Sequence, residues 1–343
     1  MDTPFEERHV LLLTPDEARQ TAELTIGVAE RHTGDDDPAL LLDLPRLAAG
    51  LPVRTQRFLR TFAVDEPTGY CVVSGHLFDQ DRIGPTPDHW RGRPRPNREF
   101  PEEILVLLYA ALLGEPFGWT TQQDGRLVHD IFPVRRHEHD QLGLGSAELL
   151  TWHTEDAFHP HRGDYLVLAS LRNPDKVATT VGSYAGGSLS DDDLEVLFEE
   201  RFHIAPDESH LPKNNSARVD GDAERFATIE RLIHERRPVA ALFGPREEPY
   251  LRLDPYFMEV PEDDPEARRA LDNLIAVVDD GLREVALEQG DCLVVNNHRV
   301  VHGRVPFTAR YDGTDRWLKR INVTHDLRRS RTMRASAGNR LIG

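Results

Sequence analysis

The spacing of apolar positions divides the chain into a helical first third and a strand-rich remainder, with the period changing near Phe117. Thr14-Pro15-Asp16-Glu17 is a helix start, with Thr14 as N-cap, Pro15 at the first helical position and Glu17 placed to close a capping box. The helix is predicted over about 15–32, and Gly34-Asp35-Asp36-Asp37-Pro38 ends it. A short helical stretch from Ala39 is expected to break at Pro45, because proline lacks an N–H and crowds the preceding turn. Another short helix is predicted over 52–62, and the β-branched run 69–75 is a buried strand. Between Asp79 and Phe100 lie four prolines and several arginines without periodicity, which predicts a loop over the surface. Pro101-Glu102-Glu103 then opens a strong helix that carries Ile104, Leu105, Leu107 and Leu108 to Leu113, where Gly114 stops it.

Beyond Phe117 the pattern predicts strands over 127–134, 147–152, 165–171, 178–183, 239–243, 250–253, 293–296 and 318–325. Helices interrupt them at about 190–202, capped by Ser190, and at about 265–278. His302 is expected in a turn after the strand 293–296. The stretch 205–223 is polar and long, which predicts a loop able to act as a lid. The whole reads as a β-rich α+β protein, a barrel or double sheet wrapped by helices. A single domain over 1–343 is expected, with a helical N-terminal part over about 1–65.

Composition narrows the possible partners. The chain has 343 residues, of which 59 are acidic and 41 are Lys or Arg, for a formal charge of −18. Such a charge repels a phosphate backbone, and no basic stripe offsets it, so nucleic-acid binding is not expected. No run of about 18 apolar residues occurs, mean hydropathy is −0.51, and the first residues carry no basic and apolar leader pattern. No membrane association is expected, and the cytoplasm is the expected location. Cys71 and Cys292 are the only cysteines, so any metal must be held by histidine and carboxylate.

The candidate chemistry lies in Trp152-His153-Thr154-Glu155-Asp156-Ala157-Phe158-His159. On a strand or its exit, residues two apart point to the same side, so His153 and Glu155 can reach one metal. The third donor is His302, in Val301-His302-Gly303-Arg304. Two histidines and one carboxylate leave three open positions on an octahedral ion, the arrangement of non-haem Fe(II) oxygenases. His129, His159 and His161 read as neighbours or surface groups, and His298 as a minor rival ligand.

Four segments carry a family resemblance: Gln122-Gln123-Asp124-Gly125, His153-Thr154-Glu155-Asp156-Ala157-Phe158, Val301-His302-Gly303-Arg304 and Asp315-Arg316-Trp317-Leu318-Lys319-Arg320. Spanning about 200 residues in the expected order, they resemble the clavaminate synthase branch of the Fe(II)- and 2-oxoglutarate-dependent oxygenases, and within it the viomycin-type free L-arginine hydroxylases. The resemblance implies a double-stranded β-helix, the jelly-roll or cupin-like core, with Fe(II) held by His153, Glu155 and His302. It implies 2-oxoglutarate as cosubstrate, with O2 as oxidant and succinate and CO2 as products. Arg316 and Arg320 stand fourteen and eighteen residues after His302, as the family pattern requires. Arg316 is implied to grip the far carboxylate of 2-oxoglutarate, helped by Thr179 with Thr180 as competitor. Arg320 is implied to hold the substrate carboxylate, Gln122 and Glu155 its α-amine, and Asp254 its guanidinium.

One position departs from the viomycin-type pattern: a second acid is expected two residues after Asp254, and this chain has Tyr256. The expected substrate is a free basic L-amino acid, arginine or a close guanidino analogue, hydroxylated at the β-carbon. A cyclised guanidine such as enduracididine, or lysine, ornithine or citrulline, stays open. Two other classes also remain: a zinc hydrolase on the same ligands, and an inactive cupin-like binding protein. Oligomeric state, regiochemistry and stereochemistry are not legible in the sequence.

Overall fold

A computed structural model describes residues 9–184, 188–215 and 222–343. Its strands, in chain order, begin with β1 (Val10–Leu12), β2 (Tyr70–Ser74), β3 (Glu115–Trp119), β4 (His129–Ile131), β5 (Leu150–His153), β6 (Tyr165–Arg172), β7 (Thr179–Gly182) and β8 (His203–Ile204). They continue with β9 (Leu242–Phe243), β10 (Tyr250–Leu251), β11 (Met258–Glu259), β12 (Arg283–Val285), β13 (Cys292–Asn296), β14 (Val301–Arg304), β15 (Trp317–Thr324) and β16 (Leu341–Ile342). The helices are α1 (Pro15–Ala29), α2 (Pro38–Ala48), α3 (Val53–Asp65), α4 (Gln80–Ile83), α5 (Phe100–Leu113), α6 (Asp191–Leu197), α7 (Asp222–His234) and α8 (Pro265–Asp280).

Two sheets form a jelly-roll core. The main sheet runs β1-β2-β13-β6-β15-β3-β16, with β4 also paired to β15; the smaller runs β12-β7-β14-β5. The period-2 alternation of a strand explains both faces of the main sheet. On β6, Val167, Ala169 and Leu171 join the cluster formed with α5, whereas Leu166 and Leu168 join Leu293, Val295 and Leu318 on the inner face. Helix α5 is buried nearly all round, from Ile104 to Ala110, as a helix wedged between the sheet and α1, α2 and α3 must be. On the other side, Leu271, Leu274 and Val278 of α8 pack with Trp152 and Val301 of the smaller sheet.

Local signals explain several boundaries. Thr14 and Glu17 form the reciprocal capping box that opens α1. Pro45 does not break α2, which continues to Ala48. One lost backbone bond is outweighed by burial of Leu40, Leu44, Leu47 and Ala48 on a single face. Helix α6 ends at Leu197, short of the expected Phe202, which instead bridges Val239. Helix α7 occupies a stretch for which no helix was expected. The segment 79–100 is not a loop over the surface: Trp90, Asn97 and Glu99 are buried, and Arg93 pairs with both Glu99 and Asp130. No helix among the described residues is long and apolar enough to cross a membrane.

Strand β15 divides its residues cleanly between the two faces. Lys319 is fully buried on the helix side, with Nζ 2.9 Å from Glu99, 2.7 Å from Glu103 and 2.6 Å from Asp130. Arg316 and Arg320, of opposite parity, face inward. Replacing Lys319 by methionine leaves Glu103 without a cation and Arg93 alone to serve Glu99 and Asp130, which costs about 3–5 kcal/mol; equilibrium unfolding of Lys319→Met in urea measures it, and a loss of less than about 1 kcal/mol would show that the cluster is not needed.

Candidate active site

The site is assembled by strand register. His302 lies directly opposite His153 in the antiparallel β14–β5 pair, with the imidazole centroids 4.9 Å apart. His302 is therefore on a strand and not in the expected turn; the turn is completed earlier, at residues 297–299. Gly303 is required beside it, because a Cβ there would sit 2.5 Å from the Leu150 carbonyl oxygen. Glu155 lies just past the end of β5. Its backbone N–H donates to Asn297 Oδ1 at 2.9 Å, and its carbonyl accepts from Asn297 Nδ2 at 3.1 Å. Asn297 thus clamps Glu155 from a turn far along the chain.

These placements bring three donors around one point. Glu155 Oε2 is 3.4 Å from Nε2 of both His153 and His302, and the three ligand atoms all lie within 4.8 Å of one another. Donors about 2.1 Å from a common ion sit roughly 3 Å apart when adjacent, so the trio fits a cation with little movement. His153 Nδ1 donates to the Thr151 carbonyl at 2.8 Å, which leaves the lone pair of Nε2 aimed at the point. Burial opposes a charge on His153, but Glu155 outweighs it and raises the imidazole to about 9. A proton there occupies the place a cation can take. The Glu155 carboxyl is held well below its usual range: burial pushes it up, and Arg320 and the two imidazoles overcome that. His298 is not a rival ligand. Its Nε2 is 2.7 Å from Asp164, and it lines a different cavity. His159 and His161 are likewise outside the trio.

All the expected site residues line one cavity: His153, Glu155, His302, Arg316, Thr179, Gln122, Asp254 and Arg320. Arg316 is buried, with Nη2 donating to Thr179 Oγ1 at 3.2 Å and Nε without a partner. Burial and the nearby Arg304 push its guanidinium down to about 9, and no carboxylate among the described residues pairs with it. Thr179, and not Thr180, is on the cavity wall. Arg320 donates to Glu155 Oε1, and its Nη2 reaches Gln122 Oε1 at 3.3 Å and His129 Nδ1 at 3.0 Å. His129 faces Arg320 across the β4–β15 pair; burial, with help from Arg320, lowers its pKa to about 3, so it is a neutral acceptor.

Asp254 closes the far side. It is held beside the end of β5 because Thr154 and Leu253 exchange bonds, the Thr154 N–H to the Leu253 carbonyl at 2.7 Å and the Leu253 N–H to Thr154 Oγ1 at 3.1 Å. Burial raises its carboxyl to about 6, the charge of His153 and the backbone N–H groups of Phe257 and Tyr256 only partly opposing it, and no Lys or Arg among the described residues forms an ion pair with it. Tyr256 stands at the rim, 58% exposed. The expected lid begins here: Ser209 Oγ accepts from Gln122 Nε2 at 2.6 Å, and His210 bridges Thr121 Oγ1 at 2.7 Å and Asp156 Oδ1 at 2.9 Å. Residues 216–221 of that stretch lie outside the described residues. Asn297, Ser209 and Trp90 escaped the sequence reading. Only the Asn-Asn pair before the turn carried a signal, as a turn-former able to bond backbone groups.

Residues 100–322 match the taurine catabolism dioxygenase TauD, TfdA family, and the chain belongs to that family. It is 46% identical over 298 residues to the enduracididine beta-hydroxylase of Streptomyces hygroscopicus, covering 85% of this chain and 87% of the relative. With the L-ornithine/L-arginine 3-hydroxylase of Catenulispora acidiphila it shares 42% identity over 342 residues, covering 97% and 99%. The crystal structure of the non-heme iron oxygenase OrfP in complex with Fe, succinate and (3S)-hydroxy-L-Arg superposes with a TM-score of 0.95 at 64% identity, covering 97% of this chain and 99% of that one.

A buried guanidinium without a counter-ion is costly in the empty protein. Arg316→Met is therefore expected to leave the melting temperature of the ligand-free, metal-free protein unchanged or higher; a drop of several degrees in a thermal scan would mean that Arg316 has a structural partner.

Proposed function

We propose that this chain is an Fe(II)- and 2-oxoglutarate-dependent hydroxylase of free L-arginine, a single oxygenase domain acting in the cytoplasm on the β-carbon of its substrate. The observation that carries the reading is a pair of incompletely matched charges in the cavity that holds the three donors: a buried arginine with no carboxylate partner, Arg316, and a buried acid with no Lys or Arg partner, Asp254. A dicarboxylate and a cationic amino acid supply the two missing charges. Neither a zinc hydrolase nor an inactive barrel needs both.

His153, Glu155 and His302 would hold the iron, the two imidazoles neutral and the carboxylate ionised. Bound iron, with O2 and 2-oxoglutarate, supplies the oxidising power for C–H hydroxylation and leaves succinate and CO2. Arg316, with Thr179, anchors the distal carboxylate of 2-oxoglutarate through a planar fork of donors. Arg320 takes the substrate carboxylate, exchanging part of its pairing with Glu155. Gln122 and the free oxygen of Glu155 accept from the α-ammonium. Asp254 then sets how far the guanidinium extends, and so which carbon stands nearest the iron; a shift of about 1 Å is enough to change the outcome.

Tyr256 at the rim, together with the similarity to an enduracididine hydroxylase, supports a second reading in which a cyclised guanidine, with fewer N–H groups to satisfy, is the substrate. Succinate release over a panel of arginine, enduracididine, ornithine, lysine and citrulline separates the two, with mass spectrometry and NMR placing the new hydroxyl. Turnover of no basic member would overturn the assignment.

Asp254→Asn is expected to raise KM for arginine by about 30-fold or more, since a buried charge loses its partner, with a smaller effect on citrulline. The acid must be ionised to pair with a guanidinium, and its ionised form predominates only above about pH 6. The kcat/KM for arginine should therefore fall as pH drops below about 6, and Asp254→Asn should remove that limb from the profile.

A further inference from the structure

A second cavity, of about 1120 Å3, opens behind the segment that follows the metal strand, and it shares no lining residue with the first. Its walls include Phe158, Arg162, Phe243, Tyr250, Arg252 and Arg329. The inner two arginines are poorly satisfied. Arg162 Nε is buried without a hydrogen-bond partner, and Nη2 reaches only His298 Nδ1, at 3.5 Å. Arg252 donates to neutral acceptors, the Ala157 carbonyl at 2.7 Å and the Phe158 carbonyl at 3.3 Å. Among the described residues no carboxylate forms an ion pair with Arg162 or Arg252, nor with Arg231, Arg237 or Arg329, which line the same space.

Two of the four acids of the wall, Asp164 and Glu66, are committed elsewhere. Asp164 holds His298 at 2.7 Å, Thr324 at 3.1 Å and the His325 N–H at 2.7 Å. Glu66 accepts from Tyr250 at 3.0 Å and Asn296 at 3.1 Å and pairs with Arg299 at 3.4 Å. Glu200 and Glu235 are exposed at the rim. Burial lowers the Arg162 guanidinium to about 9, with Arg252 adding to the shift, and lowers Arg252 to about 10. Asp164 and Glu200 offset this only in part, so an anion placed between the two guanidinium groups would relieve the remaining repulsion.

We propose that this cavity is a second ligand site, for a small multiply charged anion bearing phosphate or several carboxylates, held between Arg162 and Arg252 and separate from the 2-oxoglutarate cavity. The planar guanidinium forks match oxyanions. Phe243, which Arg162 overlies at 5.5 Å, and Tyr250 supply an apolar wall for the ligand's uncharged part. Arg252 also grips the backbone two and three residues beyond Glu155, which links an occupant of this site to the metal strand.

Isothermal titration calorimetry on the anaerobic holoenzyme, with Fe(II) and saturating 2-oxoglutarate filling the first cavity, tests this. Phenyl phosphate and tricarballylate are the two probes, and they separate a phosphate ligand from a polycarboxylate one. At least one should bind saturably at one site per chain. Loss of a charge-assisted bond should weaken it about tenfold or more in Arg162→Gln, and to a smaller degree in the rim variant Arg329→Gln. Absence of saturable heat with both probes, or equal affinity in wild type and both variants, would overturn the proposal.

Discussion

One register, His302 opposite His153 in the β14–β5 pair, is the constraint on which the site rests. A slip of one residue would turn one imidazole to the other face of the sheet and leave Glu155 with a single imidazole beside it. The fold spends several devices to prevent it. Gly303 admits the close approach of the Leu150 backbone, the register shifts between His302 and Arg304, and Arg304 ties the end of β14 to the carbonyls of Gly145 and Glu148.

The rest of the cavity follows from a second alternation, along β15. Arg316, just before the strand, and Leu318 and Arg320 within it line the cavity, while Trp317 and Lys319 are sealed against α5 and Asp130. A buried salt-bridge cluster is seldom a net gain in stability, and here it fixes a strand whose opposite face must present two guanidinium groups at set positions. The charges inside the cavity are left incomplete by contrast: Arg316 has no carboxylate partner, and Asp254 no Lys or Arg partner, among the described residues. Such incompleteness marks a place built for ligands, because a protein optimised for stability alone would pair or remove these groups.

Much of this was legible in the chain. The His153/Glu155 spacing, the fixed offsets of Arg316 and Arg320 from His302, and the parity of β15 are sequence facts, and the capping box at Thr14 and the stop at Gly114 set α1 and α5. What was not legible depended on tertiary partners. Pro45 reads as a breaker, and only the burial of Leu40, Leu44 and Leu47 shows why it is tolerated. The proline-rich stretch 79–100 has no periodicity, yet Arg93 finds Glu99 and Asp130 and draws the segment into the core. His302 follows a turn closely enough to be read as part of it, since a four-residue strand leaves little pattern. Helix α7 lacked a start signal strong enough to stand out from its polar surroundings.

Asn297 has a consequence for how the protein comes into being. The carboxylate donor is set in place by a side chain 142 residues further on, and the second imidazole comes five residues later still. During synthesis from the N-terminus, a nascent chain that has emerged only through β6 carries a histidine and a glutamate with nothing to orient them. With the proposed ligand set, iron would be captured in its final geometry only after β14 has left the ribosome, so metallation would follow the pairing of both sheets and not precede it.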